Sequence, residues 1–319
     1  MGLKIGIVGL PNVGKSTLFN ALLKKQQAYV ANFPFATIEP NIGIVPVPDP
    51  RLAKLAEIIK TSENLDHLPP EVPATVEFVD IAGLIKGASQ GEGLGNKFLS
   101  HIREVDAICH VVRAFSDPDI IKRGVTDPKT DFEVVKIELD LADLDHPDAP
   151  PFSQKPILVA LNVDEDDLAK ASEKEKEFAD KASLKEDQVI IVCAKTEAEL
   201  ADLLLEDQRA YLEALGIRQS GLERLIKKAF ATLGLITFLT AGEKEVRAWT
   251  LPVGTPAVRA SSVIHTDFEK KFIKADVCNF EDFIALGGWK KAREDGKVRS
   301  EGRDYIVRDG EVIEFKIGS

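Results

Sequence analysis

The chain is poor in sulfur and in the larger aromatic rings: its 319 residues include only 3 Cys, 1 Met, 2 Trp and 3 Tyr. Cys109, Cys193 and Cys278 lie far apart and form no metal-spaced pair. An odd, scattered set excludes a disulfide framework and points to a reducing compartment. No apolar run reaches the length of a membrane span, and the opening MGLKIGIVGL lacks the small-residue cleavage site of a signal peptide. The expected location is therefore the cytoplasm, with no membrane partner. Net positive charge is missing too. At a formal -11 the overall field repels nucleic acid, so no DNA partner is expected and RNA contact needs a local basic patch. What remains is 44% hydrophobic and 29% charged, a globular composition long enough for two packed domains.

Chemistry first appears in LKIGIVGLPNVGKSTLFNALL, residues 3 to 23. An apolar run suited to a strand buried on both faces leads into a Gly-rich turn and then into apolar positions at helical spacing. The turn, Gly9-x-x-x-x-Gly14-Lys15-Ser16, is the phosphate-binding loop in its strand-loop-helix setting. Backbone N–H groups of such a loop close around phosphate oxygens at a helix N-terminus, where the dipole favours anions. Asn12, Val13, Gly14, Lys15, Ser16 and Thr17 are the expected nucleotide contacts. Lys15 reaches the β- and γ-phosphates and the Ser16 hydroxyl binds Mg²⁺.

TVEFVDIAGL, residues 75 to 84, reads as a second strand ending in Asp80, followed by Gly83. An aspartate there is placed to hold Mg²⁺, and the Gly83 N–H to sense a γ-phosphate. Between the two motifs, NFPFATIEPN offers Thr37 as the hydroxyl that completes the metal shell, in a loop rich in turn formers. The glycines of IKGASQGEGLGNKF suit a segment ordered by nucleotide, or simply a flexible loop.

These stretches, with CHVVRAF, CAKTEAEL, HTDFEKKFIKADV and GRDYIVRDGEVIEF, resemble the YchF or Obg-like ATPase family over nearly the whole chain. The resemblance implies an ATP-hydrolysing member of a GTPase-like fold, followed by a small ubiquitin-like TGS domain and acting around ribosomes. That family usually inserts a coiled-coil hairpin after a segment like VVKIELDLADL. Here Leu144 is followed by DHPDAPPFSQK, a short Pro-containing connector without heptads, so the insertion is missing near 144 to 155.

The base-reading stretch is Asn162-Val163-Asp164-Glu165, where GTPases carry Asn-Lys-x-Asp. Val163, expected with Asn162 to contact the nucleotide, shortens the Lys stem that lies along the base and removes its charge. Glu165 is one methylene longer than the Asp that accepts from guanine N1–H and its exocyclic amine. Loss of two guanine contacts removes most of the discrimination, while the Asn162 amide is suited to bracket the N6 amine and N7 of adenine. ATP is therefore expected to be preferred over GTP. A small slip in the acidic run that follows would restore a guanine contact, and that run also reads as a solvated helix start.

Where many GTPases place a water-orienting Gln after the D-x-x-G motif, this chain has Leu84, so hydrolysis needs another group. The resemblance points to His110, whose apolar surroundings equally suit a packed core residue. Asn12 resembles the K⁺ ligand of potassium-activated relatives, or is a turn residue.

The alternation of strand and helix patterns predicts a doubly wound α/β P-loop NTPase domain over 1–232, closed by SGLERLIKKAFATLGL, and an α+β TGS-like domain over 233–319. The basic stretch Lys290, Lys291, Arg293, Lys297, Arg299 and Arg303 is the local site for RNA, or a solvated face. Two functions stand: a Mg²⁺-dependent ATPase whose switch loops report to a ribosome, and a nucleotide-gated RNA- or ribosome-binding module whose hydrolysis is incidental. An Obg-type GTPase is the variant with the other base.

Overall fold

KIGIV forms the strand β1, Lys4–Val8, and its last four residues are buried because apolar side chains on both faces find cover. The structure, a computed structural model, describes residues 3–32, 41–81, 94–116, 127–145, 148 and 150–318. Contacts divide the chain into two units, Met1–Pro46 with Val76–Leu233 and Val47–Thr75 with Gly234–Ser319.

The first unit is built on a six-stranded sheet. Its strands are β1, β2 (Ile42–Pro46), β4 (Thr75–Asp80), β5 (Ala107–Arg113), β6 (Ile157–Asn162) and β7 (Val189–Val192), in the order β2-β4-β1-β5-β6-β7. β1 pairs in parallel with both β4 and β5, and β5-β6-β7 continue in parallel. The order reverses at β1, so the carboxyl end of this strand is the switch point where doubly wound sheets bind ligands.

One side of the sheet is covered by the helices Leu94–Arg103 and Pro128–Asp145. Phe98, Ile102, Val135 and Leu139 pack there on Val8 and Ile108, and Phe132 meets Val112 and Val159. The helix Gly221–Thr232 ends the unit; its Ser220 cap accepts from the Glu223 N–H at 3.1 Å. Asp143, near the end of the helix Pro128–Asp145, accepts from the backbone N–H groups of Phe152 at 2.7 Å and Ser153 at 3.0 Å. Those two bonds tie Phe152 and Ser153, ahead of the next strand, back to the end of the helix.

The second unit carries another six-stranded sheet, in the order β11-β10-β12-β8-β9-β3. Its strands are β3 (Glu71–Val72), β8 (Leu235–Ala241), β9 (Val246–Pro252), β10 (Phe272–Cys278), β11 (Arg299–Glu301) and β12 (Val312–Ile317). The break after Leu233 lies beside the expected boundary at 232, but residues 47–75 join the C-terminal unit instead of the first. The cause is apolar burial. Leu52, Leu55, Ala56 and Ile59 of the helix Arg51–Ser62 are buried, and β3 extends the sheet by pairing with β9. Arg51 adds charge-assisted bonds to Asp49, to Asp309 at 2.9 Å and to Thr237 Oγ1 at 2.8 Å. The run DYIVRDG forms no extended strand; only Ile306 makes an isolated bridge, to Pro256. Its polar groups serve other bonds, with Tyr305 and Arg308 donating to Glu311 and Asp309 accepting from Thr237.

Leu55 is fully buried. Leu55→Ala is expected to destabilise the second unit by about 2–5 kcal/mol, read as an earlier transition in denaturant melts. A loss below about 0.5 kcal/mol would detach 47–75 from that core.

Candidate nucleotide site

The loop between β1 and the helix Lys15–Asn32 is shaped by three residues with positive φ: Gly9 at 151°, Asn12 at 61° and Gly14 at 95°. At Gly9 a Cβ would stand 2.4 Å from the Val111 carbonyl oxygen, and at Gly14 it would stand 2.2 Å from Asn162 Nδ2. Both glycines are therefore required by close approach as well as by φ. Asn12 is exposed in the left-handed conformation that Asn tolerates, as its reading as a turn residue requires.

Lys15 is 8% exposed, and its ammonium donates to the carbonyls of Gly9 at 3.0 Å and Leu10 at 2.7 Å. Burial lowers its pKa, and the nearby Asp80 carboxylate opposes the shift. Asp80, at the end of β4, is raised by the same burial, and Lys15 opposes that in turn. Two partly desolvated opposite charges thus act on one another, while Ser16 and Thr17 are exposed at the helix start. A hydroxyl and a carboxylate are the hard oxygen donors that suit Mg²⁺. No cluster of three or more His, Cys, Asp or Glu that could hold a metal exists among the described residues. Thr37, Gly83, Leu84 and the glycines from Gly87 to Gly93 lie outside the described residues.

At the other end of the site Asn162 is 5% exposed and engaged at both ends of its amide. Nδ2 donates to the Val13 carbonyl at 2.9 Å, and Oδ1 accepts from the Ala194 N–H at 2.9 Å. The expected bracket on adenine needs both ends, whereas the structure leaves one N–H to spare. Val163, expected to touch nucleotide, is 3% exposed and packs with Leu161, Leu168 and Cys193, because its N–H continues the sheet to Val192 O at 2.9 Å and turns the side chain inward. Three of the four acids that follow are bonded to protein, and Asp166 is exposed. Asp164 accepts from the Ser116 N–H at 2.9 Å, Glu165 accepts from Thr196 and Tyr211, and Asp167 pairs with Lys174 at 2.6 Å.

His110 is 1% exposed on β5, stacked on Phe132 with ring centroids 5.4 Å apart. Neither ring nitrogen meets a hydrogen-bond partner among the described residues. Burial, with Lys15 adding, pushes its pKa down to about 3, so the ring is neutral at working pH. In the basic stretch, Arg293 bonds Glu314, Lys297 pairs with Asp282 at 3.5 Å, Arg299 bonds Glu311 at 2.6 Å, and Arg303 donates to backbone carbonyls. Lys290 and Lys291 are exposed.

The structure brings Asn162 onto the phosphate loop through Val13 and sets Asp80 near enough to act on Lys15, all three being marked by local motifs. Sequence reasoning did not find Ala194, Thr196 or Tyr211. CAKTEAEL contains the first two but marks them only through the resemblance, and Tyr211, 46 residues from Glu165, carries no local signal.

A parallel sheet with a glycine-cradled loop at its reversal point, clamped by an Asn from the strand β6, defines the P-loop nucleotide-binding class. Comparisons narrow the class. A family described as 50S ribosome-binding GTPase matches residues 4–163, and the YchF GTPase C-terminal family, described as a protein of unknown function, matches 235–318. The chain is 45% identical to the "Ribosome-binding ATPase YchF" of Bacillus subtilis (strain 168) and 46% identical to that of Escherichia coli O157:H7, covering 99% of each pair. It is also similar to the structure described as "Structure of the Schizosaccharomyces pombe YchF GTPase", at 32% identity and TM-score 0.81 over 99% of this chain and 98% of that one. The chain belongs to the YchF family. The Bacillus alignment spans 371 positions against 319 residues here, so at least 52 positions of that relative have no counterpart.

Because Asn162 holds both the phosphate loop and the turn after β7, Asn162→Ala is expected to weaken ATP and GTP binding together. The expected loss is about tenfold or more by titration calorimetry, from two buried backbone groups left unpaired. Unchanged affinity for both nucleotides would contradict the clamp.

Proposed function

We propose that this chain is a Mg²⁺-dependent nucleoside triphosphate hydrolase that prefers ATP to GTP and acts as a nucleotide-switched, ribosome-associated factor in the cytoplasm. The observation that carries the reading is the state of Lys15. A buried ammonium whose acceptors are two loop carbonyls is already desolvated, and phosphate oxygens replace neutral acceptors with charged ones at little further cost. Ser16, Thr37 and Asp80 would hold Mg²⁺, which offsets phosphate charge; Asn12 is the residue available to K⁺. The substitutions at Val163 and Glu165 support the adenine preference, and the names of the curated relatives support ATP hydrolysis and the ribosome. The C-terminal unit is read as the TGS-like domain.

His110 is the hydrolytic residue suggested by the family resemblance. From its packed position it reaches a nucleotide only if β5 or the loop segments beside it rearrange, and a neutral ring with a pKa near 3 is a weak base at pH 7. A positioning role through the packing under the phosphate loop fits this geometry better than direct proton abstraction.

The test is single-turnover hydrolysis of ATP and GTP with Mg²⁺ and either K⁺ or Na⁺, with and without ribosomes. The expected results are faster ATP than GTP turnover, acceleration by ribosomes, and about a hundredfold loss or more in Lys15→Ala or after chelation of Mg²⁺. His110→Ala is expected to lower turnover without weakening binding. Equal rates and affinities for the two nucleotides would overturn the base preference. No acceleration by any ribosomal preparation would favour the nucleotide-gated module.

A further inference from the structure

Glu165 occupies the position at which a guanine-reading Asp would stand, and its carboxylate is half used before any ligand arrives. Oε2 accepts from Thr196 Oγ1 at 2.8 Å and from Tyr211 OH at 2.8 Å. Thr196 lies 1% exposed in the helix Ala194–Leu200, the helix whose first N–H is held by Asn162. Tyr211 comes from the helix Leu205–Ala214, so two separate elements converge on one oxygen. Thr196 Oγ1 also lies 3.2 Å from Cys193 Sγ, but its single hydrogen goes to the charged acceptor, the stronger of the two. The two hydroxyls hold the carboxylate ionised and hold it still; they lower the Glu165 pKa, and Glu165 pushes that of Tyr211 up to about 12.

We propose that Tyr211 and Thr196 are positioning residues that set the nucleobase preference by occupying Glu165 Oε2. An ionised carboxylate reads guanine with both oxygens, one for N1–H and one for the exocyclic amine. With Oε2 filled by two donors, only Oε1 remains, and a single acceptor matches the one exocyclic amine of adenine but leaves a guanine N–H without a partner. A guanine donor that meets water in place of the carboxylate forgoes a charge-assisted bond, and that loss is the discrimination. Asn162 cannot supply this selectivity. Its spare N–H suits N7, which both purines share, and its oxygen is held by Ala194. The inference rests on the proposed nucleotide site, with Glu165 at its base end.

The test measures dissociation constants for Mg-ATP, Mg-GTP and Mg-ITP on wild type, Tyr211→Phe, Thr196→Val and the double variant, with Thr196→Ser as the hydroxyl-retaining control. Tyr211→Phe keeps the ring and Thr196→Val keeps the shape, so folding is preserved and is checked by melting temperature. Freeing Oε2 is expected to move the ATP-to-GTP affinity ratio toward GTP by about three- to tenfold for each hydroxyl removed. The gain should be smaller for ITP, which lacks the exocyclic amine, and Thr196→Ser should keep the wild-type ratio. A ratio that stays constant while both affinities fall together would overturn the proposal and leave the hydroxyls a purely structural role. The change in ratio decides this point whatever the wild-type ratio is, whereas the wild-type ratio alone decides the ATP preference proposed above.

Discussion

The site depends on one buried amide. Asn162 ends β6, and its side chain reaches sideways to bind Val13 O in the phosphate loop and the Ala194 N–H at the start of the next helix. The approach is so close that Gly14 has no room for a Cβ. Three segments distant in sequence are thereby fixed to one another by bonds that the protein itself supplies. A loop with three positive φ angles is costly to order, and a preformed loop spares the ligand that cost.

The same constraint separates phosphate binding from base reading. Asn162 serves the loop, and its remaining N–H suits an atom common to adenine and guanine. In the proposed reading, discrimination falls to residues beyond it, where an ionised Glu165 is held by two hydroxyls. The electrostatics at the phosphate end have a different character. Lys15 and Asp80 are each desolvated, and each opposes the shift that burial causes in the other.

Much of this was legible in the sequence because the motifs are local. Gly9 to Ser16, Asp80 and Asn162 each declare themselves within a few residues, and each ends or follows a strand whose apolar pattern is plain. What was not legible is non-local. Residues 47–75 read as one more crossover of an alternating α/β chain, and only the burial of Leu52, Leu55 and Ile59 together with the pairing of β3 on β9 assigns them to the second unit. Val163 is expected to touch the nucleotide because it stands where GTPases carry the Lys whose stem lies along the base. The period-2 rule of strands turns it inward instead, since β6 pairing continues one residue past Asn162. The clasp on Glu165 depends on Tyr211, which no spacing rule connects to it.

The most direct test of the central claim is the state of the Asn162 side-chain amide in the nucleotide-free protein, observed by NMR through proton exchange and the hydrogen-bond coupling from its nitrogen to the Val13 carbonyl. The account predicts protected amide protons and a measurable coupling before any nucleotide is added, both persisting when Mg-ATP binds. Exchange at the rate of a free amide, with coupling that appears only on binding, would show that the nucleotide builds the loop and would contradict the clamp as the organising interaction.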